Sequence, residues 1–124
     1  MLCDAMPAMR ILLAEDEQTV SRLIQKVLGS AGHDVVGVES CAAAIEQLAD
    51  DGFDLVLLDL HLADGDGFSV VEAIERMAHK STPVVVMTGE SDFHDDPRAQ
   101  RVSSILQKPF NLDDLESVVS RYIA

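Results

Sequence analysis

The chain has 124 residues, 22 acidic and 9 basic, with a formal net charge of −13 and nearly half its residues apolar. That length suits one domain with a usable core, and that apolar content argues against disorder. So acidic a surface argues against non-specific nucleic-acid binding, which needs clustered Lys and Arg; it fits basic protein partners or simple solubility. Met1 to Met9 has neither the basic start nor the apolar core of a signal peptide. No apolar run is long enough to span a membrane. Cys3 and Cys41 form no metal or CxxC pattern and read as free thiols of a reducing cytosol, so a cytoplasmic location is expected.

In chain order, residues 1–8 read as an N-terminal extension and 9–124 as the domain. Arg10–Ala14 is expected to be the first strand. A helix follows with Val20, Leu23, Ile24, Val27 and Leu28 on one face, ended by Gly29 and Gly32. Val35–Val38 is the second strand. Ser40–Asp50 is the second helix, with Ile45, Leu48 and Ala49 inward, and Asp51-Gly52 is a turn. Asp54–Asp59 lacks alternation and reads as a central strand buried on both faces. The segment 63–67 (Ala-Asp-Gly-Asp-Gly) reads as a loop. A third helix then has Val70, Val71, Ile74, Met77 and Ala78 as its buried stripe.

Pro83 opens a fourth strand at a position that tolerates a missing N–H. Gly89–Arg101 is polar and contains Pro97, so any helix there is short or broken. Ser103–Leu106 is the fifth strand. Asn111 is expected to cap a last helix with Leu112, Leu115, Val119 and Tyr122 inward. Strands alternating with helices imply a parallel, doubly wound α/β sheet. No internal repeat or linker is visible, and with the last helix closing the chain no output domain is expected.

Four of these strands end in reactive groups: Glu15-Asp16, Asp59, Thr88 and Lys108. In a parallel sheet those ends share one edge, where open α/β folds place their sites. Carboxylates, a hydroxyl and an ammonium should therefore converge. Mg²⁺ prefers a few carboxylates plus water and phosphate oxygens, so Glu15, Asp16 and Asp59 suit a cation, with the backbone carbonyl of His61 as a further donor. Alone, Glu15-Asp16 would equally fit an acid pair at a helix N-terminus, and Lys108-Pro109 an ordinary turn. Asp59 can accept a phosphoryl group as an acyl phosphate. Charge on the three equatorial oxygens would be met by the cation, by Lys108 and by the Thr88 hydroxyl.

These residues resemble the receiver domain of two-component response regulators, over about Met9 to Ile123. The family pattern is an acid pair after the first strand, an aspartate after the third, Thr or Ser after the fourth and Lys-Pro after the fifth. Gly67 stands at the family's glycine before the third helix, Phe110 matches a common Lys-Pro-Phe, and Leu62-Ala63 replaces the usual Met-Pro. The resemblance implies a flavodoxin-like (βα)5 sheet of order 2-1-3-4-5, and phosphoryl transfer from a histidine kinase or histidine phosphotransfer protein to Asp59 with Mg²⁺ (or Mn²⁺). It implies a shift of the Thr88 hydroxyl toward the phosphate, a cis peptide before Pro109, and tuning of acyl-phosphate hydrolysis by His61 and Glu90. The helix beginning near Glu17 and the loops around the site should dock the kinase, and output should run through protein contacts. No nucleic-acid or membrane partner is expected, and the chain should be a monomer or weak homodimer.

Three departures stand out. The switch position three residues before the lysine, usually aromatic, is Ile105. Arg101-Val102 replaces the usual Gly-Ala. The interval from Thr88 to Lys108 is shorter than in most members, as in receivers attached to hybrid kinases and some stand-alone regulators. Phosphorylation is therefore expected to alter order in Ser91–Arg101 rather than swing an aromatic. His33, His79 and His94 read as exposed and without a role. A haloacid-dehalogenase-type phosphatase would need an aspartate where His61 stands, and an FMN binder a hydroxyl- and Gly-rich loop where Glu15-Asp16-Glu17 stands. A receiver-like adaptor that acts without phosphorylation is the remaining alternative.

Overall fold

The structure is a computed structural model and describes residues 8–50, 52–77, 81–90 and 92–123. Five parallel strands form one sheet: β1 (Arg10–Ala14), β2 (Asp34–Val38), β3 (Leu55–Asp59), β4 (Val84–Thr88) and β5 (Ser104–Gln107), in the order β2-β1-β3-β4-β5. The expected order therefore holds. Among the described residues four α-helices flank the sheet: α1 (Gln18–Ser30), α2 (Cys41–Asp50), α3 (Phe68–Arg76) and α4 (Leu112–Ser120).

The period-two geometry of the strands divides the core into two layers. On β3, Val56 and Leu58 face the layer closed by α2 and α3, with Cys41, Ala44, Leu48, Phe68, Val71 and Ile74. Leu55 and Leu57 face the layer closed by α1 and α4, with Ile24, Leu28, Leu115, Val118 and Val119. Every residue of β3 and β4 is buried, as expected of central strands covered by helices on both sides. Each fully buried Val or Leu contributes about 1.5–3 kcal/mol. These two strands therefore form the rigid floor from which Asp59 and Thr88 project.

Among the described residues between β4 and β5 there is no α-helix. Two 3-10 turns, Phe93–Asp95 and Pro97–Arg101, occupy the interval. Pro97 starts the second, where its missing N–H costs nothing, and the Asp96 carboxylate caps that turn by accepting the Arg98 N–H at 2.9 Å. The broken helix expected from Pro97 is what the chain forms. Asn111 caps α4 in a reciprocal box: its Oδ1 accepts the Asp114 N–H at 2.8 Å, and Asp114 Oδ2 accepts the Asn111 N–H at 3.3 Å.

Several expectations are corrected. Leu23 and Leu112 are 49 % and 38 % exposed, so neither belongs to the core stripe assigned to it. Ala49 is exposed as well. The helical period places all three beside the buried stripe, but each lies on its solvent flank. Gly29 does not end α1, which runs on to Ser30; the chain leaves the helix at Gly32, whose φ of +96° suits glycine. Asp54 precedes β3 instead of starting it, and its Oδ2 accepts the Arg10 N–H at 2.8 Å.

The expected loop 63–67 is in part a small antiparallel hairpin, His61–Leu62 against Gly65–Asp66. His33 is half-buried rather than exposed and does have a role: its Nδ1 accepts the Met9 N–H at 3.1 Å. Ala78, His79, Asp51, Ser91, Cys3 and all of the expected extension except Ala8 lie outside the described residues.

Candidate functional site

The register of the sheet assembles the site. Ala14 pairs with Leu58, Asp59 with Met87, and Thr88 with Gln107. The residues just past these pairs, Glu15 and Lys108, therefore stand at the same edge as Asp59 and Thr88. Glu15, Asp59 and Thr88 are all buried. Lys108 joins the carboxylates directly, its Nζ donating to Glu15 Oε1 at 2.8 Å and to Asp59 Oδ2 at 3.2 Å. The Lys108–Pro109 peptide is cis, as expected.

The backbone completes the frame. Asp59 Oδ1 accepts the His61 N–H at 3.1 Å, and Glu15 Oε2 accepts the Glu17 N–H at 3.1 Å. Thr88 Oγ1 accepts the Glu90 N–H at 3.0 Å, and the Thr88 carbonyl accepts the Lys108 N–H at 2.7 Å. Gly67 donates its N–H to the Leu60 carbonyl at 2.7 Å. A Cβ at Gly67 would lie 2.2 Å from the Asp59 carbonyl oxygen, so only glycine lets α3 start this close to the strand end.

Burial raises the pKa of Glu15, opposed by the hydrogen bonds from Lys108 and the Glu17 N–H; the net direction is up. Burial alone would lower the pKa of Lys108, but the Glu15 hydrogen bond and the charges of Asp59 and Glu15 outweigh it, and the net direction is up. The ammonium is thus held charged between two carboxylates, and Glu15 bears the desolvation cost. Carboxylate oxygens of Glu15, Asp16 and Asp59 lie within 4.8 Å of one another. A cluster of hard oxygen donors this tight fits one small divalent cation, which would also offset that cost.

His61 and Glu90 meet above this edge, with His61 Nε2 2.5 Å from Glu90 Oε2. Ile105 is half-buried and packs against the α2/α3 layer, in which Phe93, at 1 % exposure, is the aromatic from the shortened segment. The structure thus brings together Glu15, Asp16, Asp59 and Lys108, places Thr88 on the adjoining strand end, and holds His61 and Glu90 as a pair.

Two functional candidates were not visible in the sequence. Asp64 reaches across to α2, where its carboxylate accepts the Cys41 and Ala42 N–H groups at 2.8 and 3.1 Å. These contacts lower the Asp64 pKa, the Cys41 N–H contributing most. Arg98 pairs with Asp66, 32 residues away, at 2.9 Å. The segment 63–67 read only as a loop, and nothing in the sequence identifies the partners of Asp64 and Asp66.

A doubly wound sheet with an acid pair, an aspartate, a hydroxyl and a lysine at its carboxyl edge defines a receiver-type module. The response regulator receiver domain family matches residues 11–120, and the chain belongs to that family. It is 32 % identical to the response regulator receiver protein CpdR of Brucella abortus, covering 92 % of this chain and 96 % of that protein. The receiver domain of sensor histidine kinase PA1611 from Pseudomonas aeruginosa, with a magnesium ion coordinated in its active-site cleft, superposes with a TM-score of 0.83. It is 25 % identical over 94 % of this chain and 98 % of that one. The response regulator TrrA of Thermotoga maritima, in complex with Mg²⁺-BeF, superposes with a TM-score of 0.82 at 26 % identity, covering 91 % and 97 %. Other relatives are longer: the chain spans 21 % of the Candida albicans transcription factor SKN7 and 51 % of the Serratia marcescens protein RssB.

Proposed function

We propose that this chain is a phosphorylation-dependent switch or relay in which Asp59 accepts a phosphoryl group from a histidine kinase or histidine phosphotransfer protein. The observation that carries this reading is Lys108 Nζ bonded at once to Glu15 and Asp59. An Asp59 carboxylate oxygen attacks the phosphorus, the P–N bond to the partner imidazole breaks, and an acyl phosphate remains on Asp59. Lys108 and the Thr88 hydroxyl meet charge that develops on the phosphoryl oxygens. Glu15, Asp16, Asp59 and the His61 carbonyl would hold Mg²⁺ or Mn²⁺, which supplies a hard positive charge against a phosphoryl oxygen. The His61–Glu90 pair lies where it can limit water at the acyl phosphate and so set its lifetime.

The kinase-docking face is the α1 side of the site. Val20, Leu23, Ile24, Pro109, Phe110 and Leu112 line an apolar groove beside Lys108. The exposed leucines, Leu23 and Leu112, are its flanks, which explains large apolar side chains outside the core. Output runs through protein contacts, without nucleic acid or membrane, from a monomer or weak homodimer in the cytoplasm. Among the described residues no helix is long and apolar enough to cross a membrane, and the Cys41 thiol is free. Similarity to the PA1611 receiver supports a second reading, a receiver module within a hybrid kinase. Transfer of radiolabelled phosphate from a phosphorylated histidine phosphotransfer protein tests the assignment. Label should reach the wild-type chain and not Asp59→Ala, and equal labelling of both would remove Asp59 from this role.

A further inference from the structure

Residues 92–101 are suspended between two attachments to the site. The first is Glu90. Its N–H is held by Thr88 Oγ1, its carboxylate by His61, and its carbonyl accepts the Phe93 N–H at 3.3 Å. The second is Arg98. Its Nη1 donates to Asp66 Oδ2 at 2.9 Å, in the hairpin that also carries His61, and its Nη2 donates to Asp96 Oδ2 at 3.0 Å. The same guanidinium lies 5.4 Å from the Phe68 ring centroid and 5.5 Å from that of Phe93. Arg101 covers the Phe68 ring at 4.9 Å and pairs with Glu75 of α3. Phe93 is thereby kept buried, on a segment that has no α-helical hydrogen-bond ladder of its own.

Both attachments end on groups whose bonding would change with the proposed chemistry. Asp59 Oδ1 holds the His61 N–H as a charged carboxylate; as an acyl phosphate that carboxylate is neutral, and the bond weakens. The phosphoryl group also adds negative charge beside Glu90 and Asp66, which share one cleft with His61 and Arg98. We propose that Arg98 is the coupling residue of this receiver: its bridge from Asp66 to Asp96, stacked on Phe68 and Phe93, holds residues 92–101 in the unphosphorylated position, and phosphorylation of Asp59 loosens that segment. This inference rests on the phosphoacceptor reading. Because coupling is reciprocal, removing the bridge must also favour the phosphorylated state.

Amide exchange of peptides spanning residues 92–102, with and without acetyl phosphate and Mg²⁺, tests this in the wild type, Arg98→Gln and Arg98→Lys. Intact mass on the same samples reports the Asp59 adduct. Exchange in the wild type should rise about fivefold or more on phosphorylation. In Arg98→Gln it should start high and rise little further, and more of the chain should carry phosphate at limiting donor; Arg98→Lys should fall between. An adduct with unchanged exchange at 92–102 would overturn the coupling and leave the phosphoacceptor reading intact. A full wild-type rise, or an unchanged phosphorylated fraction, in Arg98→Gln would also overturn it. No adduct with either acetyl phosphate or a phosphorylated histidine protein as donor would overturn both.

Discussion

Gly67→Ala puts a single methyl group against the backbone that carries the phosphoacceptor. The new Cβ would lie 2.2 Å from the Asp59 carbonyl oxygen and 3.1 Å from Leu60 Cα, whereas ordinary contact begins near 3.4 Å. The two must separate by about 1 Å, and neither is the end of a flexible side chain. Gly67 itself sits at φ −57°, ψ −21°, which alanine adopts freely, so the whole cost is steric. Overpacking of this kind costs about 1–3 kcal/mol. The same displacement moves Asp59 relative to Lys108, and a misplacement of about 1 Å can slow a reaction about 10²-fold. Urea unfolding measures the first effect, and the rate of adduct formation with a small phosphodonor the second.

Gly29→Ala is the matched control. It lies within α1 with nothing near its Cβ position and should stabilise the fold by about 0.5–1 kcal/mol. If Gly67→Ala unfolds within about 0.5 kcal/mol of wild type and reacts at the wild-type rate, the close-approach argument is wrong.

Lys108→Met should destabilise the metal-free chain by about 1–3 kcal/mol, because Glu15 and Asp59 lose their shared cation. Added Mg²⁺ should then raise its melting temperature more than it raises that of the wild type; an equal rise in both would contradict this. Glu15 has its pKa raised by burial, so its stabilising contribution is full below its ordinary value of 4.5 and is lost as pH rises through the folded value. The stability of Glu15→Gln relative to wild type, from urea midpoints in metal-free buffer, should therefore grow from pH 4.5 to 7.5, and a flat difference would refute it. Leu23→Ala with Leu112→Ala should leave stability within about 0.5 kcal/mol of wild type. The pair should lower the rate of phosphotransfer from a histidine-containing protein but not from acetyl phosphate; equal loss with both donors would remove the groove from docking.

The sheet was readable because its central strands are continuous apolar runs that end in chemistry-bearing residues, and sheet register does the rest. Once β1, β3, β4 and β5 are parallel neighbours, Glu15, Asp59, Thr88 and Lys108 have no other place to be. Periodicity failed at Leu23 and Leu112 for a physical reason: an apolar residue one step off the buried stripe looks the same whether it faces the core or a surface groove. Pairings across long sequence separations left no trace at all. The Asp64 carboxylate on α2 and the Arg98 bridge to Asp66 are both set by how the hairpin after β3 folds back, and that hairpin was read as a plain loop. The missing aromatic at Ile105 was visible, but the burial of Phe93 in the neighbouring turn was not.

The most direct test of the account is intact-mass analysis after incubation with acetyl phosphate, with and without Mg²⁺, alongside Asp59→Ala. The account predicts one phosphoryl adduct on the wild-type chain, dependent on Mg²⁺ and absent from Asp59→Ala. An adduct that persists in Asp59→Ala, or a folded wild-type chain that takes up no phosphoryl group from either acetyl phosphate or a phosphorylated histidine protein, would contradict it.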